Sequence, residues 1–334
     1  MSLQVEQPPP AASAADQNPI KRKKISTGEG RLAAYLIGPT IVLLFAVIGY
    51  PVLRAIWLSF LSDQSLSGQF FTKGGDFVGF QHYLDWLLQR CGDTKCDASQ
   101  IGGQTYSALF VTIFFTVVSV ALELMLGMGM ALVMNKSFRG RGLLRAAVLV
   151  PWAIPTAVTA KLFFFMLQYD GIVNHLLGLN VLWTDDKWPS IFAIIIADVW
   201  KTTPFMALLI LAGLQIISAD IYESAAIDGA TGFQAFRRIT MPLVKPAVMV
   251  AVLFRVLDVL RIYDLPAILT HGGGGSGHAT TSLSILVVKE IQQGGFSSAS
   301  ALSTLVFLFI FGVAFLFVKV LGTNAVQSQQ KSVK

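Results

Sequence analysis

Charge is what this chain most conspicuously lacks. Asp, Glu, Lys and Arg make up 13% of its 334 residues, against 54% hydrophobic, where a water-soluble domain carries about a quarter charged residues. A deficit of that size makes lipid the main solvent. Histidine and cysteine are scarce as well, at four and two. The histidines are scattered, and two cysteines cannot supply the four ligands of a structural zinc site. No nucleophile–base pairing is visible, which argues against a membrane enzyme. The one glycine-rich stretch, "HGGGGSGH" from His271, has no Lys-Ser/Thr after its glycines, so it is not a phosphate-binding loop. A formal net charge of +6 in so apolar a chain reports loop topology and gives no ground for inferring nucleic-acid binding. No convincing inverted repeat, of the kind common in ion-driven transporters, is apparent.

What is present is a series of long apolar runs. Roughly 20 helical residues cross a bilayer core, and six runs suffice: about 32–60, 106–134, 143–167, 191–217, 243–268 and 302–320. The sequence therefore predicts an all-α membrane protein with six transmembrane helices. The first run has a basic flank but is too long for a signal peptide and lacks a small-residue cleavage site, so it reads as a retained span. Orientation follows from the Lys/Arg bias. With the N-terminus in the cytoplasm, "KRKK" at Lys21–Lys24, Arg139, Arg141, Arg145, Arg237, Arg238 and Lys245 all fall inside, while Lys73, Arg90, Lys95, Lys187 and Lys289 are left outside. Both termini are then cytoplasmic. Residues 1–30 are expected as a disordered tail, 31–322 as the six-span domain with an outer loop at 61–105, and 323–334 as a cytoplasmic C-terminal tail. Within the outer loop, "FQHYLDWL" reads as an interfacial helix. Cys91 and Cys96 share the short turn "CGDTKC" on the outer side, where a disulfide persists; two reduced thiols are the alternative.

The most informative polar stretch is "YESAAIDGATGFQAFRRITMPLVKP", Tyr222–Pro246, which lies on the cytoplasmic side. Asp220 with Glu223 three residues on has the spacing of a capping box. Gly229 suits the left-handed residue that ends a helix. Thr231 and Gln234 repeat the capping pattern, so a second short helix is expected to about Thr240, interrupted by Pro242. The first helix is too short to be stable alone in water, and its small-residue face suits docking in a groove on another protein. A plain surface loop is the other reading.

This stretch resembles the "EAA" loop (218–242) of permease subunits from binding-protein-dependent ABC importers, in which E-A-A, three residues, Gly, nine residues and I-x-L-P follow in order. Glu223, Ala225, Gly229, Ile239 and Pro242 match, and Asp228 and Ala230 complete "DGA"; Ser224 and Met241 depart from the pattern. Downstream, "YDLPAILTHGGG", "TTSLS" and "SSASALS" resemble the sugar-permease pattern, with Gly274 where a proline is usual. The chain is thus similar to maltose-type carbohydrate importer permeases. That resemblance implies the type I ABC importer permease fold, a plasma-membrane location and alternating-access import of a sugar, a disaccharide such as trehalose being favoured. It implies no cofactor on this chain, with ATP and Mg held by partner ATPases. The implied partners are a second permease, two cytosolic ATPase subunits and an extracytoplasmic sugar-binding protein. Glu223 would pair with a basic residue in the ATPase cleft. An ion-gradient-driven secondary transporter is the competing class.

Charge inside a span is costly and marks functional candidates. Arg255, Asp258, Arg261 and Asp264 recur every three residues in the fifth run, a spacing that allows pairing along one helix face. A polar cavity wall and an internal ion-pair ladder both fit. Carrying over the family's substrate positions places Lys201, Thr202, Phe205, Arg255, Asp258, Val259 and Ile262 on the pathway. Their residue types differ from the maltose-binding versions. Asp198 and Glu123 are lesser candidates, better suited to helix–helix hydrogen bonding.

Overall fold

The computed structural model describes residues 27–63, 75–92, 94–97, 99–272 and 278–331. Residues 1–26 of the tail expected at 1–30, and residues 273–277 of the glycine-rich stretch, lie outside them. The chain divides into a unit ending at Arg54 and a second unit from Ala55 onward. In the first, α1 (Thr27–Leu44) continues through a π-helical turn, Phe45–Gly49, into α2 (Tyr50–Leu58), whose last turn belongs to the second unit. Residues 27–30, expected in the tail, are already helical.

The second unit is almost wholly helical. A short helix α3 (Gln81–Leu88) forms from "QHYLDWLL", followed by a two-stranded ribbon, β1 (Arg90–Cys91) and β2 (Thr94–Lys95), paired Arg90↔Lys95 and Cys91↔Thr94. Cys91 and Cys96 are joined as a disulfide across the base of this ribbon. There follow α4 (Thr105–Asn135), α5 (Arg141–Ala153), α6 (Thr156–Leu167), α7 (Ile172–Leu177) and α8 (Lys187–Gln215). The polar insert is α9 (Ala219–Ile227) and α10 (Gly232–Ala235), and the chain closes with α11 (Met241–Val259), α12 (Asp264–Leu269), α13 (Leu283–Gln292) and α14 (Phe296–Lys331).

Among the described residues five helical stretches are long and apolar enough to span a membrane: Tyr35–Leu58, Gly102–Asn135, Lys187–Gln215, Gly232–Val259 and Phe296–Lys319. The third apolar run, expected as one span, is instead the pair α5 and α6, bent by 87°. The cause is local. Pro155 disfavours helical backbone at the residue before it, and Ile154 is accordingly extended at φ −72°, ψ 131°. The last apolar span ends at Lys319, in agreement with the sixth run, and its helix α14 continues to Lys331 through most of the segment expected as the C-terminal tail.

The core is built around α8, whose apolar window is 72% buried, wedged between α4 on one side and α5 and α11 on others. Phe115, Ile194, Ile195, Met206, Ile210 and Val244 are all sealed within it. Large apolar side chains such as Phe110, Met125, Leu143 and Phe165 point outward, which suits hydrocarbon rather than water. Close approach of α8 to α11 depends on Gly213, where an added methyl would collide with the Cβ of Ala247. Gly213→Val is therefore expected to lower the stability of the purified protein by the overpacking cost of about 1–3 kcal/mol. Thermal unfolding checks this, with Gly312→Val as control, since nothing lies within 4 Å of that position.

Candidate functional site

The insert between α8 and α11 folds as two short helices, with the expected capping box at Thr231–Gln234 and two departures from the sequence-based expectation. The N-cap of α9 is Ser218, whose hydroxyl accepts from the Asp220 amide at 3.4 Å, and Asp220 sits in the first turn. There it still meets the positive end of the helix dipole. The capping box is at Thr231–Gln234, with both reciprocal bonds present. Pro242 does not interrupt the second helix. The π-helical turn Phe236–Thr240 precedes it, widening the backbone so that α10 runs on into α11 with the proline accommodated directly after the wider turn.

Gly229 has φ +76°, the left-handed backbone that glycine adopts at no steric cost. It reverses the chain after α9, and Tyr222 Oη lies 3.0 Å from Thr240 Oγ1, tying the two helices together. Glu223 and Asp228 are exposed, Ala225, Ala230 and Ile239 half-buried, and Pro242 exposed. Beside them Ile227 and Phe233 are 87% and 71% exposed. A pocket of about 370 Å³ opens against Phe233, Gln234, Arg237 and Arg238.

The second constellation lies inside the spans. Arg255 on α11 is 2% exposed and reaches three carboxylates on three helices. Its Nε donates to Glu123 Oε2 and its Nη2 to Glu123 Oε1, both at 2.6 Å, a bidentate pair with α4. Nη2 also donates to Asp198 Oδ2 on α8 at 3.0 Å, and Nη1 to Asp258 Oδ2 one turn along α11. Thr202 Oγ1 lies 2.7 Å from Glu123 Oε1 and 2.5 Å from Asp198 O, offering its single proton between them. Glu123 is fully buried. Paired, bidentate geometry of this kind is what permits a charge to be held away from water.

Asp258 differs from its partners. Its side chain is 57% exposed and faces a cavity of about 330 Å³, at the lower end of the range of small-molecule pockets. Trp152 and Thr156 line it from the α5–α6 bend, and Asp198, Lys201 and Thr202 from α8. Asp258, Val259, Arg261, Ile262, Tyr263, Asp264 and Leu265 close it from the end of α11 and the turn beyond. Lys201 Nζ donates to Ile154 O at 2.8 Å, a carbonyl that the bend has released from the helical ladder. The wall thus combines two aromatic rings, two cations, several carboxylates and hydroxyls.

Of the seven positions carried over as pathway residues, Lys201, Thr202, Asp258, Val259 and Ile262 line this cavity. Phe205 stands behind it, stacked on Trp152 at 5.7 Å between ring centroids, and Arg255 lies beneath as the hub of the ion pairs. Of the two readings left open for the fifth-run charges, the ion pairs run chiefly from Arg255 to other spans rather than along α11. That helix ends at Val259 and a new one starts at Asp264, so only Arg255–Asp258 and a loose Arg261–Asp258 contact at 3.9 Å share it. Glu123 and Asp198 are more central than their rank in the sequence suggests. Trp152, Thr156 and Tyr263 escape sequence reasoning, although the Pro151–Pro155 spacing signals the bend that delivers the first two.

The family described as binding-protein-dependent transport system inner membrane component matches residues 123–327. The trehalose/maltose transport system permease protein MalF of Thermococcus litoralis is 40% identical over 304 residues, 89% of this chain and 96% of that one. The trehalose transport system permease protein SugA of Mycobacterium tuberculosis is 36% identical over 299 residues, covering 89% and 91%. In fold, the chain is similar to one from the crystal structure of a bacterial ABC transporter involved in the import of the acidic polysaccharide alginate. The TM-score is 0.68 at 21% identity, over 90% of this chain and 96% of that one.

Proposed function

Because the chain belongs to the binding-protein-dependent transport system inner membrane components, a family of multi-pass ABC permease subunits, we propose that it forms half of the translocation path of an ATP-driven sugar importer. Its substrate is a disaccharide such as trehalose, the sugar in the names of both relatives. A second permease completes the pore, two cytosolic ATPase subunits drive it, and an extracytoplasmic binding protein delivers the sugar. Both termini are cytoplasmic.

The observation that carries this reading is the 330 Å³ cavity between the spans. Sugar hydroxyls need donors and acceptors in close array, and sugar C–H faces suit aromatic rings. Lys201, Asp258 and Thr202 supply the former, Trp152 and Tyr263 the latter. No catalytic step is required of these side chains: they hold a neutral, hydrated molecule where lipid would reject it.

Motion enters from the other side. Glu223 and Gly229 belong to a compact, exposed helical hairpin continuous with α11, so a push on the hairpin bears on the helix that carries Arg255 and Asp258. ATP binding in the motor and the loaded binding protein each favour the outward-open state only by their differential affinity for it.

A panel of labelled sugars tested for uptake, with and without this chain and with and without ATPase partners, checks the proposal. Trehalose or maltose uptake that needs both is the expected result. Uptake that persists without the ATPases, driven by an ion gradient, would overturn it.

A further inference from the structure

We propose that the end of the bundle bearing the Cys91–Cys96 ribbon holds a second carbohydrate site, a polar cavity of about 550 Å³ that takes a neutral polyhydroxylated ligand. It rests on the sugar-import reading for its biological role. Its chemistry stands on separate observations.

The cavity is built rather than incidental. Its walls come from four separate segments: α3 with β1, the loop at 99–102, the end of α13, and the first turn of α14. Trp86 on α3 is 3% exposed and packs with Leu283 and Leu286 of α13 and Ala301 and Leu302 of α14. Its indole Nε1 donates to Ser298 O at 2.9 Å, which fixes two walls to each other. The disulfide forms part of a third. Gly102 lies directly against it, and a Cβ there would stand 2.6 Å from Cys96 Sγ and 3.3 Å from Cys91 Sγ. Walls held this way lose little freedom when a ligand arrives, which is the condition for useful affinity.

The lining then selects the ligand. Asp85 and Glu290 only accept hydrogen bonds when ionised, Arg90 only donates, and Gln100, Gln293 and Ser99 do both. None of the three ionisable groups enters an ion pair among the described residues. Burial pushes the Glu290 carboxyl above its ordinary range, with Asp63 adding to the shift and the Ser298 hydrogen bond and His82 opposing it. A phosphate or carboxylate ligand would meet two acidic groups, and an apolar one would strip water from all of these side chains without replacing it. A molecule carrying many hydroxyls, each a donor and an acceptor, satisfies carboxylate, guanidinium and amide together. The volume falls within the range of small-molecule sites.

The test uses the assembled transporter in lipid nanodiscs, without binding protein or ATP, and reads saturation-transfer NMR signals from trehalose and maltose at millimolar concentration. The expected result is a saturable signal with a component whose affinity falls roughly tenfold in Asp85→Ala/Glu290→Ala, the loss of one or more charged hydrogen bonds. Gln293→Trp, on an exposed position, should fill the cavity and remove this site's share of the signal without depending on those carboxylates, leaving only the share that Asp258→Asn removes from the cavity between the spans. Absence of signal from the unmodified complex would overturn the proposal. So would a signal lost only in Asp258→Asn, which puts the sugar between the spans, or a saturable response to lysine amide but not to sugars, which makes the cavity a socket for a protein partner's basic side chain. Normal sugar uptake combined with any of these would sink this site alone. A sound NMR signal from a complex that imports no sugar would sink the transport reading instead.

Discussion

Replacing Arg255 with leucine is expected to be among the most damaging single changes in the protein. The guanidinium is the only cation hydrogen-bonded to Glu123 and Asp198 among the described residues, and both carboxylates are buried. Removing one partner of a buried pair typically costs about 3–5 kcal/mol, because the remaining charge is left uncompensated. A marginally stable protein has only a few kcal/mol more than that to lose. The variant should appear at greatly reduced level in membranes and unfold well below the unmodified protein. The distinguishing measurement is partial rescue. Arg255→Leu combined with Glu123→Gln and Asp198→Asn removes the orphaned charges, so it should recover much of the thermal stability but not transport. Failure of the triple variant to gain stability over the single one would show that the hub matters through shape rather than charge. Arg261→Ala is the comparison: its 3.9 Å contact with Asp258 is between exposed groups, and such pairs contribute about 0–1 kcal/mol.

The second large effect is expected at Glu223, with the opposite signature. Its side chain is exposed and no ion pair holds it among the described residues, so Glu223→Ala should leave folding and the unfolding temperature unchanged. Truncating one partner of a buried charge pair at an interface costs about 2–5 kcal/mol, which is roughly thirtyfold or more in affinity. Co-purification of the ATPase subunits should fall accordingly, with loss of uptake. Ile227→Asp offers a parallel check, since that side chain is 87% exposed and would place a charge in the same contact. Unchanged ATPase association in both variants would remove α9 from the coupling interface.

These two sites differ in how far they could be read from sequence, and the reason is range. The α9–α10 insert is local: Thr231 caps against Gln234 three residues away, and Gly229 takes a left-handed conformation set by its own lack of a side chain. Such features follow from short-range sterics and hydrogen bonding. Even here local rules compete. Ser218 and Asp220 are both good capping residues, and the backbone settled on the serine. Pro242 is a strong helix breaker, yet the π-helical turn before it absorbs the disruption.

The sequence by itself determined the solvent of this protein, the positions of its apolar runs, the basic bias of one set of loops and the helical hairpin on that side. All of these depend on residues within a few turns of one another. Only the tertiary structure decided which polar groups meet. Arg255 and Glu123 are 132 residues apart and Arg255 and Asp198 57, and nothing in their neighbours encodes the pairing. Burial forces it: a guanidinium withdrawn from water takes whatever carboxylates the packing of α4, α8 and α11 brings within reach. The same packing turned a bend at Pro155 and the end of α11 at Val259 into the two facing walls of one cavity.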